Sequence, residues 1–177
     1  SYEALPPSIM TFMASMMWGA LSAFFPLYAL SRGVTNPGLF FVVIAIILIF
    51  GRILGGSVFD IKTREKVVFP CVAVQMIAMI VLIFSRTSPM FVLVAVIWGM
   101  GHAFIFPALM NYAIDHAGSA TGPVVGTYSA LSDFGSGMGP VIMGIILQFT
   151  NYTVMFLSLA LIGLINLLYL YFIFRRR

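Results

Sequence analysis

Charged residues are scarce in this chain: only 8% of its 177 residues are Asp, Glu, Lys or Arg. Soluble domains carry about 25% charged residues. Hydrophobic residues make up 62% of the sequence, so most of the apolar surface must face lipid or other helices within lipid. The nine Lys and Arg residues lie at the ends of apolar runs and form no basic face. This pattern argues against nucleic-acid binding despite a net charge of +4.

Residues that carry enzymatic or metal chemistry are also few. The single cysteine, Cys71, excludes an internal disulfide and a cysteine-based metal cluster. Neither histidine belongs to a metal-ligand motif, and the sequence has no Ser/His/Asp order and no Walker-type loop. We therefore expect no enzyme, no cofactor and no metal site. The first apolar run is too long for a removable signal peptide, and it begins beside Glu3 rather than basic residues.

Six apolar runs are each long enough to cross a bilayer, which takes roughly 20 helical residues. Their connections are short, so consecutive helices are predicted to be antiparallel neighbours. The sequence thus predicts an all-α membrane protein with a single six-helix transmembrane domain over residues 1–177. The predicted spans are Pro7–Leu30, Gly38–Phe59, Lys66–Phe84, Pro89–Ile114, Pro123–Phe149 and Tyr152–Phe174.

The Lys and Arg residues of the short loops predict the orientation. Three basic residues follow span 2 and three Arg residues follow span 6, whereas the loops on the other side hold only Arg32 and Arg86. Both termini and the loop after span 2 are therefore predicted to be cytoplasmic. We expect the chain in the cell (plasma or inner) membrane as a multi-pass protein whose partners include the lipid bilayer.

The chain resembles itself at an offset of 84 residues. Tyr28-Ala29-Leu30 aligns with Tyr112-Ala113-Ile114, and Phe50-Gly51 and Gly55 align with Phe134-Gly135 and Gly139. Spans 1–3 (residues 7–85) thus correspond to spans 4–6 (residues 89–174), and because three is an odd number the second copy is inverted. The alternative is a chance similarity between apolar, glycine-rich segments.

Two segments resemble the major facilitator superfamily of transporters, in which each six-helix half is a 3+3 inverted repeat. The loop after span 2 carries Gly56, Asp60, Arg64 and Lys66 in the pattern of the family's signature loop, although Ile61 and Thr63 depart from it. Asp133-Phe134-Gly135, Gly139-Pro140 and Gly144 resemble the fifth helix of a half in drug and metabolite efflux members, with the last glycine one residue late.

The degenerate signature loop and the Arg-rich tail favour the C-terminal half of such a transporter. Glu3-Ala4-Leu5-Pro6-Pro7 looks like the end of a central linker, and the sequence begins with Ser1. We therefore expect a fragment of a transporter, a half studied separately or an engineered chain, which needs a second six-helix half from the same transporter or from a second copy. A natural six-span protein that dimerises is the alternative.

Three polar residues lie near mid-membrane in the predicted spans: Arg52, His102 and Asp133. A carboxylate at that depth is costly unless it is paired, protonated or facing water, and is a functional candidate by default. Arg52 and His102 are its candidate partners. The open alternatives for Asp133 are a buried structural pair, a proton-coupling group and a contact for a cationic substrate.

The glycine pairs Gly51/Gly55 and Gly135/Gly139 are predicted to let helices approach closely, either for packing alone or to let spans 2 and 5 slide against a partner half. Pro140 is expected to kink span 5. The resemblance implies that Asp60 meets a helix N-terminus of the other half and gates opening. It also implies a cavity lined by spans 1, 2, 4 and 5, with the candidate lining residues Trp18, Phe24, Phe25, Tyr28, Trp98, Asn111 and Tyr128.

The leading functional hypothesis is half of a secondary active transporter that exports small amphipathic or drug-like molecules by alternating access, coupled to protons as in an antiporter. Apolar walls rich in Met suit varied hydrophobic ligands, and the sequence contains 12 Met residues that could form such walls. The alternatives are uptake of a metabolite, or a six-span protein that does not transport and acts as a homodimeric scaffold or an isolated folding unit.

Overall fold

The computed structural model describes residues 4–55 and 64–176, which form six α-helices and no strand. The six-helix all-α fold is confirmed, and each helix begins within two residues of its predicted start. The predicted end of span 2, residues 56–59, lies outside the described residues. The helices are α1 (Leu5–Ser31), α2 (Gly38–Gly55), α3 (Arg64–Phe84), α4 (Ser88–Asp115), α5 (Thr121–Phe149) and α6 (Tyr152–Arg175).

Local sequence signals explain where the helices begin and end. Proline occupies the first turn of α1 and of α4, where its missing N–H would have no helical partner. Gly33 and Gly118 follow these helices with positive φ angles of 80° and 57°, which glycine adopts without steric cost. The Asn151 side chain accepts a 2.9 Å hydrogen bond from the Val154 N–H and so caps α6.

The helices run alternately between two sides of the bundle. The side where α1, α3 and α5 begin is called the termini side, and the opposite side is called the far side. Among the described residues, five helices are long and apolar enough to cross a membrane, and only the described part of α2 is shorter. The chain is therefore a multi-pass membrane protein.

The most extensive packing joins the parallel helices α1 and α5, followed by the antiparallel helices α3 and α4, and then by α2 with α4 and α3 with α6. A Cβ at Gly135 or Gly139 would overlap the backbone carbonyls of Phe12 and Met16, respectively. A Cβ at Gly51 would come within 2.8 Å of the Ala103 Cβ. Small residues thus bring the backbones together where lipid offers no hydrophobic drive for association.

The interior holds two clusters of buried side chains, one toward each side of the bundle. The far-side cluster contains large aromatic residues such as Phe25, Phe40 and Trp98, and the termini-side cluster contains mainly aliphatic residues. Along its own helix, each of the polar residues Ser15, Gln75 and His102 lies between residues of the far-side cluster and residues of the termini-side cluster. This arrangement places a polar belt at about the middle of the bundle.

Candidate functional site

Arg52, His102 and Asp133 lie at similar depth on three different helices. Each is roughly 20 to 25 Å from the far-side end of its helix at a rise of about 1.5 Å per residue. His102 and Asp133 are near the middle of α4 and α5, so both lie in the central part of a hydrocarbon layer roughly 30 Å thick. The three residues therefore place charged or polar side chains at about the same depth, near the middle of the membrane.

His102 is enclosed by aromatic rings. Its ring centroid is 4.6 Å from that of Trp18, 4.9 Å from that of Phe106 and 6.0 Å from that of Trp98. The imidazole Nδ1 is buried and has no hydrogen-bond partner among the residues that the structure describes. Arg52 lies at a similar depth on α2, which packs against α4.

Asp133 is exposed at the surface of the bundle and, within the described ranges, forms no ion pair with Arg52 or His102. The reason is its position relative to Gly135, which contacts α1. Two residues along an α-helix correspond to about 200° of rotation, so Asp133 points away from α1. The pairing considered for Asp133 from the sequence is therefore not formed in this structure.

The exposed face of α5 around Asp133 is formed mostly by small and polar residues. It contains Gly126, Ser129, Ala130 and Gly137, and a Cβ added at either glycine would meet open space. The exceptions are Phe134, which is 57% exposed, and Val141 and Ile145 nearer the far side. The exposed face of α6 is different, because it consists of large apolar residues such as Leu157, Leu161, Leu168 and Phe172. The face of α6 suits lipid, whereas the termini-side half of the α5 face, around Asp133, suits water or another protein surface.

Several belt residues were not among the sequence candidates. The hydroxyls of Ser15 and Ser132 are 2.9 Å apart and join α1 to α5 next to Asp133. Gln75 is buried, and neither atom of its amide has a partner among the described residues. Asn166 donates a 3.2 Å hydrogen bond from Nδ2 to the Met10 carbonyl. The signal that could have identified them is a polar residue in the middle of an apolar span.

The predicted packing glycines lie inside the bundle. Gly51, Gly135 and Gly139 are buried against neighbouring helices of this same chain. They are therefore not available as flat surfaces against a partner half. Gly55 ends α2, and Pro140 follows Gly139 within α5, which continues to Phe149.

The signature loop is only partly described. Gly56 and Asp60 lie outside the described residues. Arg64 begins α3, and Lys66 is exposed in the first turn of that helix. The gating role considered for this loop therefore stays a prediction.

Four of the seven candidate cavity-lining residues are buried inside the bundle: Phe25, Tyr28, Trp98 and Tyr128. Two of them tie helices together, because the Tyr28 hydroxyl donates to carbonyls at the end of α3 and the Tyr128 hydroxyl donates to the Phe106 carbonyl at 2.9 Å. Trp18, Phe24 and Asn111 are partly exposed. Only these three have surface that could border a cavity in this conformation.

Two pairs of residues related by the 84-residue offset make similar ring contacts. The Arg32 guanidinium lies 5.3 Å from the Tyr28 ring centroid at the end of α1, and the His116 ring lies 4.4 Å from the Tyr112 ring at the end of α4. The pair α1 with α5 corresponds at this offset to the pair α4 with α2, whereas α3 with α4 packs more extensively than its counterpart, α6 with α1.

Comparison with known proteins gives two matches. The sequence profile of the Major Facilitator Superfamily matches residues 7–177. A staphylopine export protein of Staphylococcus aureus (strain Mu50 / ATCC 700699) is 26% identical over 170 residues, which cover 92% of this chain and 42% of that protein. The chain thus spans about two-fifths of the length of this curated relative. No solved structure matches the chain.

Proposed function

Because the chain belongs to the major facilitator superfamily, whose members are transporters, we propose that it forms one six-helix half of a proton-coupled exporter of small amphipathic molecules. In this proposal the chain works by alternating access together with a second half. The export direction is supported by the relative, which is described as an export protein. The similar ring contacts at an offset of 84 residues support a 3+3 inverted repeat within the half.

The observation that carries the proposal is the exposed face of α5. A carboxylate near mid-membrane is costly in lipid, and Asp133 is exposed beside small or polar residues such as Ser129, Ala130 and Gly137, with Phe134 as the large apolar exception. Such a face is stable when it borders a water-filled cavity or another protein surface. We therefore place the substrate pathway along α5, between this half and the second half.

Arg52, His102 and Asp133 supply the groups for coupling in this proposal. The three lie at similar depth, and Arg52 and His102 are carried by α2 and α4, which pack against each other. A carboxylate that alternates between a water-filled cavity and a protein contact can take up a proton on one side and release it on the other. Arg52 and His102 would then set the charge that Asp133 experiences when the halves close.

The loop of Gly56, Asp60, Arg64 and Lys66 is proposed as the gate on the termini side, on the strength of its resemblance to the family signature. The same resemblance supports the C-terminal half. The basic residues on this side, which include Lys66, Arg175 and Arg176, support a cytoplasmic location for it.

The test compares two acid-to-amide variants of the protein as expressed from its own gene, reconstituted in proteoliposomes. Asp133→Asn should abolish export of a fluorescent cationic dye driven by a proton gradient. Asp115→Asn is the matched control, because Asp115 is the last residue of α4 rather than a mid-membrane residue. Asp133→Asn protein that keeps proton-driven export at the wild-type rate would refute the coupling role.

A further inference from the structure

A groove of about 300 Å³ opens between α3 and α4 in the termini-side half of the bundle. Its walls are apolar: Pro70, Cys71 and Val74 come from α3, and Met100 and Phe104 from α4. The volume is at the lower end of that of ligand pockets in proteins. The groove therefore has room for part of an extended chain rather than for a bulky ligand.

The depth of the groove corresponds to one leaflet of a membrane. It begins at Lys66 in the first turn of α3, and Val74 lies about 12 Å further along the helix axis. On α4 it reaches Met100, two residues before the mid-depth His102. One end is thus at the level of lipid headgroups and the other near the bilayer centre.

The bottom of the groove is formed where α3 and α4 approach each other closely. A Cβ at Gly101 would come within 2.8 Å of the Cys71 carbonyl oxygen and 3.1 Å of the Gln75 Cγ. Because Gly101 has no side chain, α3 and α4 approach closely there and close the groove toward the interior. The outer side of the groove is open, and the Met100 side chain beside it is 55% exposed.

The charge of the groove is positive and confined to its headgroup end. Lys66 is the charged residue among those that line it, and no acidic residue lines its described part. The N-terminus of α3 lies at the same place, where the helix dipole adds partial positive charge. An apolar trough with a cation at headgroup level is complementary to a lipid with an anionic phosphate and an apolar tail.

We propose that this groove holds an anionic phospholipid, with one acyl chain between α3 and α4 and the headgroup phosphate at Lys66. An exposed ion pair, such as Lys66 with a phosphate, contributes up to about 1 kcal/mol, and the cationic choline of a zwitterionic headgroup partly cancels this attraction. This energy corresponds to about a fivefold preference for an anionic over a zwitterionic headgroup. The inference does not depend on transport.

The test is native mass spectrometry of the full protein in mild detergent, titrated with an equimolar mixture of phosphatidylglycerol and phosphatidylcholine. Wild-type protein should retain phosphatidylglycerol preferentially, and Lys66→Gln should lower the ratio of the two lipids about fivefold. Arg175→Gln is the matched control, because it removes an exposed cation on the same side but outside the groove. It should leave the ratio unchanged.

A second variant tests the apolar part of the site. Val74→Trp places a large ring in the groove and should reduce retention of both lipids, while gel filtration shows that the protein stays monodisperse. An unchanged ratio in Lys66→Gln, an equal fall in Arg175→Gln, or undiminished retention of both lipids in Val74→Trp would each overturn the proposal. An equal fall in the two charge variants would indicate general electrostatic attraction instead of a site.

Discussion

The indole of Trp18 and the imidazole of His102 lie against each other at mid-depth, with ring centroids 4.6 Å apart and planes inclined by 30°. The two residues are 84 positions apart, the same offset that is proposed to relate the two halves of the sequence. A residue that contacts its own counterpart lies near the axis of a twofold repeat. This contact is therefore the centre of the proposed inverted symmetry.

Two substitutions of His102 distinguish a packing role of its ring from a role in proton coupling. His102→Phe should keep the ring contacts with Trp18 and Phe106 and remove a buried polar nitrogen without a partner, so thermal unfolding in detergent should change little or shift upward. His102→Ala removes the ring and should lower the unfolding temperature. If His102 takes part in coupling, His102→Phe should be stable and yet lose proton-dependent transport, and retention of both properties would contradict that role.

The glycines of α5 provide a matched pair two residues apart. Gly139→Ala places a methyl group against the Met16 carbonyl and should reduce the free energy of unfolding by about 1–3 kcal/mol. Gly137→Ala, on the open face with no atom within 4 Å, should be neutral or stabilise the helix by up to about 1 kcal/mol. Unfolding by a denaturing detergent measures both changes. Equal destabilisation by the two variants would show that α5 is packed differently.

Tyr28 is predicted to act as a cap for α3. Its hydroxyl lies 3.0 Å from the Leu82 carbonyl and 3.3 Å from those of Ile83 and Ser85, where the helix leaves carbonyls without intrahelical partners. Tyr28→Phe should therefore reduce the free energy of unfolding by about 1–3 kcal/mol. Tyr152→Phe is the control, because Tyr152 packs against Tyr28 at 5.2 Å. Its loss of a hydroxyl should have a smaller effect.

The open face of α5 can be distinguished from a lipid-facing surface by introducing bulk. Ala130→Trp should impair transport without lowering the thermal stability of the bundle, because Ala130 is exposed on the face proposed to meet the cavity or the second half. Leu164→Trp, on the exposed apolar face of α6, should leave transport intact. Unimpaired export by the Ala130→Trp protein would contradict the proposal that the substrate pathway runs along α5.

The sequence predicted the six helices and their membrane-spanning character because long apolar runs between charges and Gly/Pro clusters mark spans directly. It did not predict which face of each span is interior. Gly135 and Asp133 are two residues apart, and one is buried while the other is exposed. In a helix with apolar residues on most sides, hydrophobic periodicity does not separate lipid from protein. That assignment depends on the contact between α1 and α5, which joins segments more than 100 residues apart.

The aromatic candidates illustrate the same limit. Tyr28 and Trp98 were candidates for a cavity wall because of their residue type and span, yet both are buried. Ser15, Ser132 and Gln75 have ordinary polar side chains, and only their depth in the bundle marks them. The three-dimensional crossing of α1 with α5 turns two serines into one hydrogen-bonded pair.

The pairing of α1 with α5 also has a consequence for biogenesis. During synthesis α1 enters the membrane before α5, and about 90 residues separate its end from the start of α5. At about 5–20 residues per second, α1 would wait on the order of ten seconds for its main partner. The Ser8 hydroxyl donates to the Ala4 carbonyl just before α1, and the Ser31 hydroxyl donates to the Tyr28 carbonyl within α1. These local hydrogen bonds limit the polar surface that α1 exposes to lipid before α5 arrives. Assembly of the bundle is thus set by the arrival of the fifth helix and not by the order of insertion alone.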